Sequence, residues 1–198
     1  MKITSIKKQQ KRNMRYSVFV DGEYSFSLSE SGLLNAGLRL GQEITSEELN
    51  KLKENSSQDK AYARALDLIA RRPRSEWEMR DYLKRKGYDS EQTIQVITKL
   101  AEFKYLDDAD FARRWVANRR LLKATSKRKL QQELRQKRIS DQIINQVLEQ
   151  DETDDKSALR DLIERKRRQT KYQDNQKLMQ YLSRQGFNYG DIKEILDE

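Results

Sequence analysis

The hydrophobic rhythm of the chain changes near residue 58. Before it, apolar and polar positions alternate. Tyr16, Val18 and Val20 are interleaved with Ser17, Phe19 and Asp21, and Tyr24, Phe26 and Leu28 with Glu23, Ser25 and Ser27. A period of two places one set on one face of a pleated strand, so these runs read as two strands. Asp21-Gly22 joins them, a pair suited to the type I′ turn, which needs positive φ at both central positions. Residues 3–8 supply a third strand. Gly32, Gly37 and Gly41 punctuate the following stretch, with Leu33, Leu34 and Leu38 as its apolar anchors. Thr45-Ser46-Glu47-Glu48 carries a capping signature that starts a short helix through Leu52. Residues 55–58, Asn-Ser-Ser-Gln, then read as a linker.

Beyond residue 58 the alternation gives way to spacings of three and four. One pattern occurs three times: Ser75-x3-Met79-x3-Leu83, Ser126-x3-Leu130-x3-Leu134 and Asp174-x3-Leu178-x3-Leu182. Each opens with a good N-cap residue and sets two apolar groups on one helical face. Four positions after each final leucine stands Gly87, Arg138 or Gly186, where the helix should end. A further apolar helix follows each: Ile94, Ile97 and Leu100; Ile143, Val147 and Leu148; Ile192, Ile195 and Leu196. Another precedes each: Ala65, Leu66 and Ile69; Phe111, Trp115 and Val116; Leu159, Leu162 and Ile163. The repeating unit is therefore three helices, recurring about every 50 residues. The expected fold is mainly α, a tandem array of three three-helix repeats behind a small β extension. The expected blocks are residues 1–58, 59–106, 107–151 and 152–198. Leu83, Leu134 and Leu182 should be buried, because a repeat of this size gains much of its stability from its neighbours.

Composition narrows the chemistry. The 198 residues include no cysteine and no histidine. Thiolate nucleophiles, disulfides, Cys-ligated metals and imidazole catalysts are thereby excluded. Residues 1–10 lack the apolar core of a signal peptide, and no run approaches the roughly 18 apolar residues of a membrane span. A cytoplasmic protein is expected. The 41 Lys+Arg residues outnumber the 32 Asp+Glu residues, for a net charge of +9, which points to a polyanionic partner.

The cations cluster. Arg71, Arg72 and Arg74 flank Pro73, more positive charge than a helix C-terminus requires. Ser75 with Glu78 forms a capping-box pattern directly after them. Arg113, Arg114, Arg119, Arg120, Lys123, Lys127, Arg128 and Lys129 run through the second repeat, followed by Arg135, Lys137 and Arg138. Glu133 is the only acid between residues 113 and 138. Arg165, Lys166, Arg167, Arg168 and Lys171 form a third group, with Asp154, Asp155, Asp161 and Glu164 upstream to neutralise part of it. Asp107, Asp108 and Asp110 have the density of a magnesium site, but acids also belong at a helix start, and no second acidic cluster accompanies them. The exposed-type aromatics Trp77, Tyr82, Tyr88, Tyr105, Tyr181, Phe187 and Tyr189 sit beside apolar helical positions, where core packing is the default role.

Residues 65–87, A-L-D-L-I-A-R-R-P-R-S-E-W-E-M-R-D-Y-L-K-R-K-G, resemble the signature of the RecX family of RecA-regulating proteins. So do residues 105–120, Y-L-D-D-A-D-F-A-R-R-W-V-A-N-R-R, the Leu130-x3-Leu134 element, and the helix carrying Ile143, Ile144, Val147 and Leu148. The likeness is strong over residues 59–150 and looser in the third repeat. Asp21-Gly22 and Gly37-Leu38-x2-Gly41 are similar to the family forms with a β extension. Arg138 departs from the pattern, standing where glycine is common, and residues 169–176 make a longer connection.

The resemblance implies a non-enzymatic, cofactor-free and monomeric modulator, built as an elongated, curved array. Its partners would be the RecA recombinase filament and single- or double-stranded DNA, directly or through RecA. Its effect would be to inhibit RecA ATPase, strand exchange and coprotease activity in DNA repair, recombination and the SOS response. The expected contacts are Arg71, Arg72, Arg74, Arg113, Arg114, Arg119, Arg120, Lys127 and Arg128. The competing expectation is a free-standing DNA-binding protein with helix-turn-helix-like units. A metal-dependent nuclease would rest on Asp107, Asp108 and Asp110 alone.

Overall fold

The computed structural model describes residues 1–10 and 15–197. The expected first and last blocks each extend to positions outside these, residues 11–14 and 198. Ten α-helices follow a three-stranded sheet among the described residues. The chain forms two compact units, residues 1–72 with 79–105, and residues 73–78 with 106–198.

In the first unit, β1 (Ile3–Lys8), β2 (Arg15–Val20) and β3 (Glu23–Ser29) pair antiparallel in that order. Val20 faces Glu23 across the turn, where Asp21 has φ 48° and Gly22 φ 89°. The alternation buries Val18, Phe26 and Leu28, with Ile3 and Ile44 completing the core. Helix α1 (Glu30–Ala36) is capped by Ser29. It turns Leu33 toward the sheet and leaves Leu34 75% exposed, so Leu34 is not the anchor its apolar character suggests.

The capping box at Thr45 and Glu48 is present, but the helix it starts does not stop at Leu52. Helix α2 (Ser46–Arg71) is continuous through residues 55–58. The polar residues that read as a linker tie this helix to the sheet. Ser56 is buried and donates to the Ser27 carbonyl at 2.7 Å. Asp59 accepts from the Ser29 amide at 2.8 Å and pairs with Arg15 at 2.8 Å. Buried polar groups need such partners, and here the partners are distant in sequence. Helix α3 (Glu76–Arg85) has its first turn in the second unit. Helix α4 (Ser90–Glu102) lies against α2 with Val96, Ile97 and Leu100 buried, while Ile94 is 53% exposed. Val96 rather than Ile94 carries the apolar face.

The second unit holds α5 (Asp108–Lys123), α6 (Lys127–Gln136), α7 (Asp141–Glu149), α8 (Asp155–Arg167), a 3-10 turn (Thr170–Tyr172), α9 (Asn175–Arg184) and α10 (Tyr189–Asp197). Phe111, Val116, Leu130, Leu134, Ile144 and Val147 form one core, and Leu159, Leu162, Leu178, Leu182, Phe187 and Ile192 another. The paired apolar positions of all three repeats, Met79/Leu83, Leu130/Leu134 and Leu178/Leu182, are fully buried. Gly87, Arg138 and Gly186 all adopt the left-handed conformation at the helix ends, with φ of 82°, 58° and 86°. The amide of the residue after the left-handed position returns to the final leucine carbonyl in each: Tyr88 to Leu83, Ile139 to Leu134, Phe187 to Leu182.

Within the second unit the repeats interlock by polar bonds at the start of their second helices. Ser126 accepts from the Lys129 amide at 3.1 Å and donates to the Gln185 carbonyl at 2.8 Å. Both carboxylate oxygens of Asp155 accept the Lys127 amide at 3.0 Å. The same arrangement appears with Ser75, which donates to the Lys137 carbonyl at 3.0 Å, and Asp108, which accepts the Glu76 amide at 2.8 Å. A β-carbon at Gly186 would stand 2.6 Å from the Ser126 hydroxyl and 3.1 Å from the Lys129 amide, so a side chain here would force this junction to shift. In the third repeat the cap is Asp174, exposed and holding the Lys177 amide at 3.0 Å. A carboxylate can only accept, so Asp174 does not pass a bond onward as the Ser75 and Ser126 hydroxyls do.

Candidate nucleic-acid interface

The cations of the second repeat separate into two populations. Arg120 is internal. Its guanidinium bonds Asp151 at 2.7 and 2.9 Å, Asp155 at 3.1 Å and the Thr125 carbonyl at 2.5 Å, with its side chain 8% exposed. Arg119 shares Glu133 with the Trp115 indole N–H, at 2.7 and 2.9 Å, and lies over the Trp115 ring at 4.7 Å. Lys137 approaches the same ring at 5.2 Å and bonds Glu78 at 2.6 Å. Glu133, the lone acid of the basic stretch, thus works inside the repeat and does not neutralise its outer face.

Arg113 and Arg114 are exposed and share Asp110, at 3.6 and 2.7 Å. Exposed pairs of this kind are readily exchanged for an external anion. Lys127, Arg128 and Lys129 occupy the first turn of α6, which contains no acid. Cations there oppose the positive end of the helix dipole, a cost of a few tenths to about 1 kcal/mol each. Asp155 offsets part of this from a neighbouring helix, through the Lys127 amide. Local helix stability does not account for three cations at this end.

An open groove of about 700 Å³ runs along the outer side of α6, lined by Trp77, Arg128, Gln131, Gln132, Arg135 and Arg138 among others. Trp77 is 44% exposed. Arg135 pairs with exposed Asp141 at 2.7 Å, and the side chains of Arg128 and Arg138 have no ion-pair partner among the described residues. Arg138 is a non-glycine residue in the left-handed region, which costs roughly 1–2 kcal/mol. Three forked cations, the three amides of Gln131, Gln132 and Gln136, and an indole can bind phosphates, hydrogen-bond base edges and stack on a base. The sequence reading singled out Arg128 but omitted Trp77, Arg135 and Arg138 from the site. The usable signal was Arg138 itself, a cation where the other repeats place glycine.

The remaining predicted residues lie elsewhere. Arg71 and Arg72 belong to the first unit, Arg71 exposed and Arg72 at the C-cap of α2; Arg74 belongs to the second. Arg72 and Arg74 both have interaction partners within the protein. The basic group of the third repeat is largely self-engaged. Lys166 lies over Tyr172 and Tyr181 at 5.3 and 4.8 Å, Arg167 bonds the Gln173 carbonyl at 2.8 Å, and Arg168 pairs with Glu164 at 2.9 Å. The three clustered acids are divided among structural tasks. Asp107 caps α5 through the Ala109 and Asp110 amides, Asp108 caps α3, and Asp110 pairs with the two arginines. Burial holds the Asp108 carboxyl above its ordinary range. No helix among the described residues is long and apolar enough to cross a membrane.

Comparison with known proteins shows what this arrangement is similar to. Residues 1–45 match the regulatory protein RecX N-terminal domain, and residues 61–100, 107–148 and 153–196 match the first, second and third RecX three-helix domains. Regulatory protein RecX of Clostridium botulinum (strain Eklund 17B / Type B) is 30% identical over 204 residues, covering 100% of this chain and 95% of the relative. Regulatory protein RecX of Listeria monocytogenes serotype 4a (strain HCC23) is 36% identical over 152 residues, covering 76% of this chain and 56% of the relative. The match thus spans little more than half the length of that Listeria protein. A crystal structure of regulatory protein RecX superposes with a TM-score of 0.73 at 28% identity, covering 100% of this chain and 99% of that one. RecX from Lactobacillus salivarius, at 23% identity and a TM-score of 0.59, shares the fold over 71% of this chain and 94% of its own.

Proposed function

From the premise that the chain belongs to the RecX family of regulatory proteins, we propose that it binds the RecA–DNA filament and inhibits RecA ATPase, strand exchange and coprotease activity. Its action is stoichiometric binding without bond-making chemistry. Preferential binding to one filament state shifts the filament toward that state, here the inactive or disassembling one. The observation that carries this reading is the outward face of α6, where Arg128, in a first turn without an acid, shares one groove with Arg135, Arg138 and the exposed Trp77.

The proposed phosphate contacts are Arg113, Arg114, Lys127 and Arg128, extended by Arg135 and Arg138, with Trp77 stacking on an exposed base. Arg71, Arg72 and Arg74 are a second proposed set on the preceding segment. Arg119 and Arg120 belong to the scaffold that presents the groove. The test is titration of the protein into preformed RecA–single-stranded-DNA filaments while following ATP hydrolysis, with DNA-only binding measured at the same salt. Inhibition at concentrations where free DNA is hardly bound supports the filament as target. Inhibition that only tracks sequestration of DNA identifies a general nucleic-acid binder and overturns the filament mechanism.

A further inference from the structure

A second groove, chemically unlike the first, lies between the last turn of α5 and the α8–α9 pair. It encloses about 370 Å³ and is lined by Leu122, Lys123, Leu162, Arg165, Lys166 and Tyr181, together with glutamines. Leu162 and Tyr181 form an apolar floor. Leu122 stands at the edge, 64% exposed, beside Leu121 at 78%. A lone exposed leucine needs no explanation, but Leu122 lines the concavity itself and extends its apolar floor to the open side. The rim carries three cations and no carboxylate among its lining residues. Lys166 is held over the two tyrosine rings, and Lys123 has no ion-pair partner among the described residues.

This chemistry suits protein better than nucleic acid. Aliphatic side chains offer a phosphate nothing, and a base stacks on an indole or a guanidinium far better than on leucine. An aliphatic floor ringed by cations complements a segment that presents an aliphatic side chain flanked by carboxylates. We infer that this groove docks an acidic segment of a protein partner, which inserts an aliphatic side chain between Leu122 and Leu162 while its carboxylates meet Lys123 and Arg165. The α6 groove is then kept for phosphate and bases, and the two surfaces act independently.

Three fluorescent probes test this against the full chain: a glutamate-rich helical peptide with leucines at spacings of three and four, the same peptide with serine for each leucine, and a single-stranded oligonucleotide. The leucine peptide should bind about ten-fold or more tightly than the serine peptide, as expected for one buried leucine. Leu122→Ser should weaken the leucine peptide by a similar factor and leave oligonucleotide affinity unchanged. Arg165→Glu should weaken both peptides. Equal affinity for the two peptides, absence of binding by either, or indifference of the leucine peptide to Leu122→Ser would each overturn the inference. Failure of the nucleic-acid reading registers separately, as an oligonucleotide that does not bind or does not respond to Arg128→Glu.

Discussion

Arg120 separates the architecture of the second repeat from its binding chemistry. Its guanidinium is shared by Asp151, Asp155 and the Thr125 carbonyl, and the Arg120 and Asp151 side chains are each 8% exposed. Arg120→Met keeps much of the apolar stem but removes the charge. Asp151 is then left nearly buried with the Thr153 amide at 3.3 Å as its remaining hydrogen bond, while Asp155 keeps the Lys127 amide. Breaking a buried pair in this way costs about 3–5 kcal/mol, a large share of an ordinary domain's total stability. With a urea dependence of about 1–3 kcal/mol per molar, the midpoint should fall by roughly 1 M or more. Arg113→Ala and Arg114→Ala, whose pairs are exposed, should each cost under about 1 kcal/mol. The assay is urea unfolding followed by circular dichroism. A double variant, Arg120→Met with Asp151→Asn, should cost less than the sum of the single changes by about 1 kcal/mol or more. If Arg120→Met is within about 0.5 kcal/mol of the parent while oligonucleotide binding collapses, the scaffold reasoning is wrong and Arg120 is a surface contact. It follows that a charge reversal meant to test binding belongs at Arg113 and Arg114, not across residues 113–120.

Arg138→Gly should raise stability by up to about 1 kcal/mol, since relief of the left-handed strain exceeds the entropy glycine adds to the unfolded chain. It should at the same time weaken oligonucleotide binding and lower the salt slope by about one phosphate contact; an unchanged affinity would remove Arg138 from the site. Gly186→Ala and Gly87→Ala impose the same backbone penalty, roughly 1–2 kcal/mol, but only at Gly186 does the new methyl meet Ser126 and the Lys129 backbone. Equal urea midpoints for these two variants would show that the repeats do not meet as closely as described. Acid titration should show opposite signs at different caps. Backbone hydrogen bonds hold Asp154 and Asp174 below the ordinary 3.8, so their stabilising contribution is present above that value and lost as pH falls through their lowered values. Burial holds Asp108 above 3.8, so the folded state takes up its proton first, and the parent should lose stability relative to Asp108→Asn as pH rises through that raised value. Comparing urea midpoints of the two from acid to neutral pH checks the sign.

Much of the fold was legible because it depends on short-range geometry. A period of two, a period near 3.6 and a serine or aspartate four residues before an apolar position follow from backbone dimensions alone. They located the strands, the Asp21-Gly22 turn and the paired buried positions from Met79/Leu83 to Leu178/Leu182. The left-handed helix ends at Gly87, Arg138 and Gly186 were equally local, since the cap closes on its own helix. Family-specific residues in the first two repeats carried the regulatory assignment before any contact was known.

What only the tertiary structure decided is which polar group meets which. Ser56 reads as a linker residue and Asp59 as the start of the first repeat until the sheet is placed beside them, 29 and 30 positions away in sequence. Arg113, Arg114, Arg119 and Arg120 are indistinguishable as letters, yet the second pair turns inward because Glu133 arrives from α6, Asp155 from α8 and Asp151 from the connection before α8. Trp77 joins Arg128, Arg135 and Arg138 in one groove only through folding. Leu34 and Ile94 face outward although Leu33 packs against the sheet core and Val96 is buried, because an apolar letter records a preference and not a direction. Periodicity travels along the backbone, whereas a charge acquires its role from the field of groups that the fold brings around it.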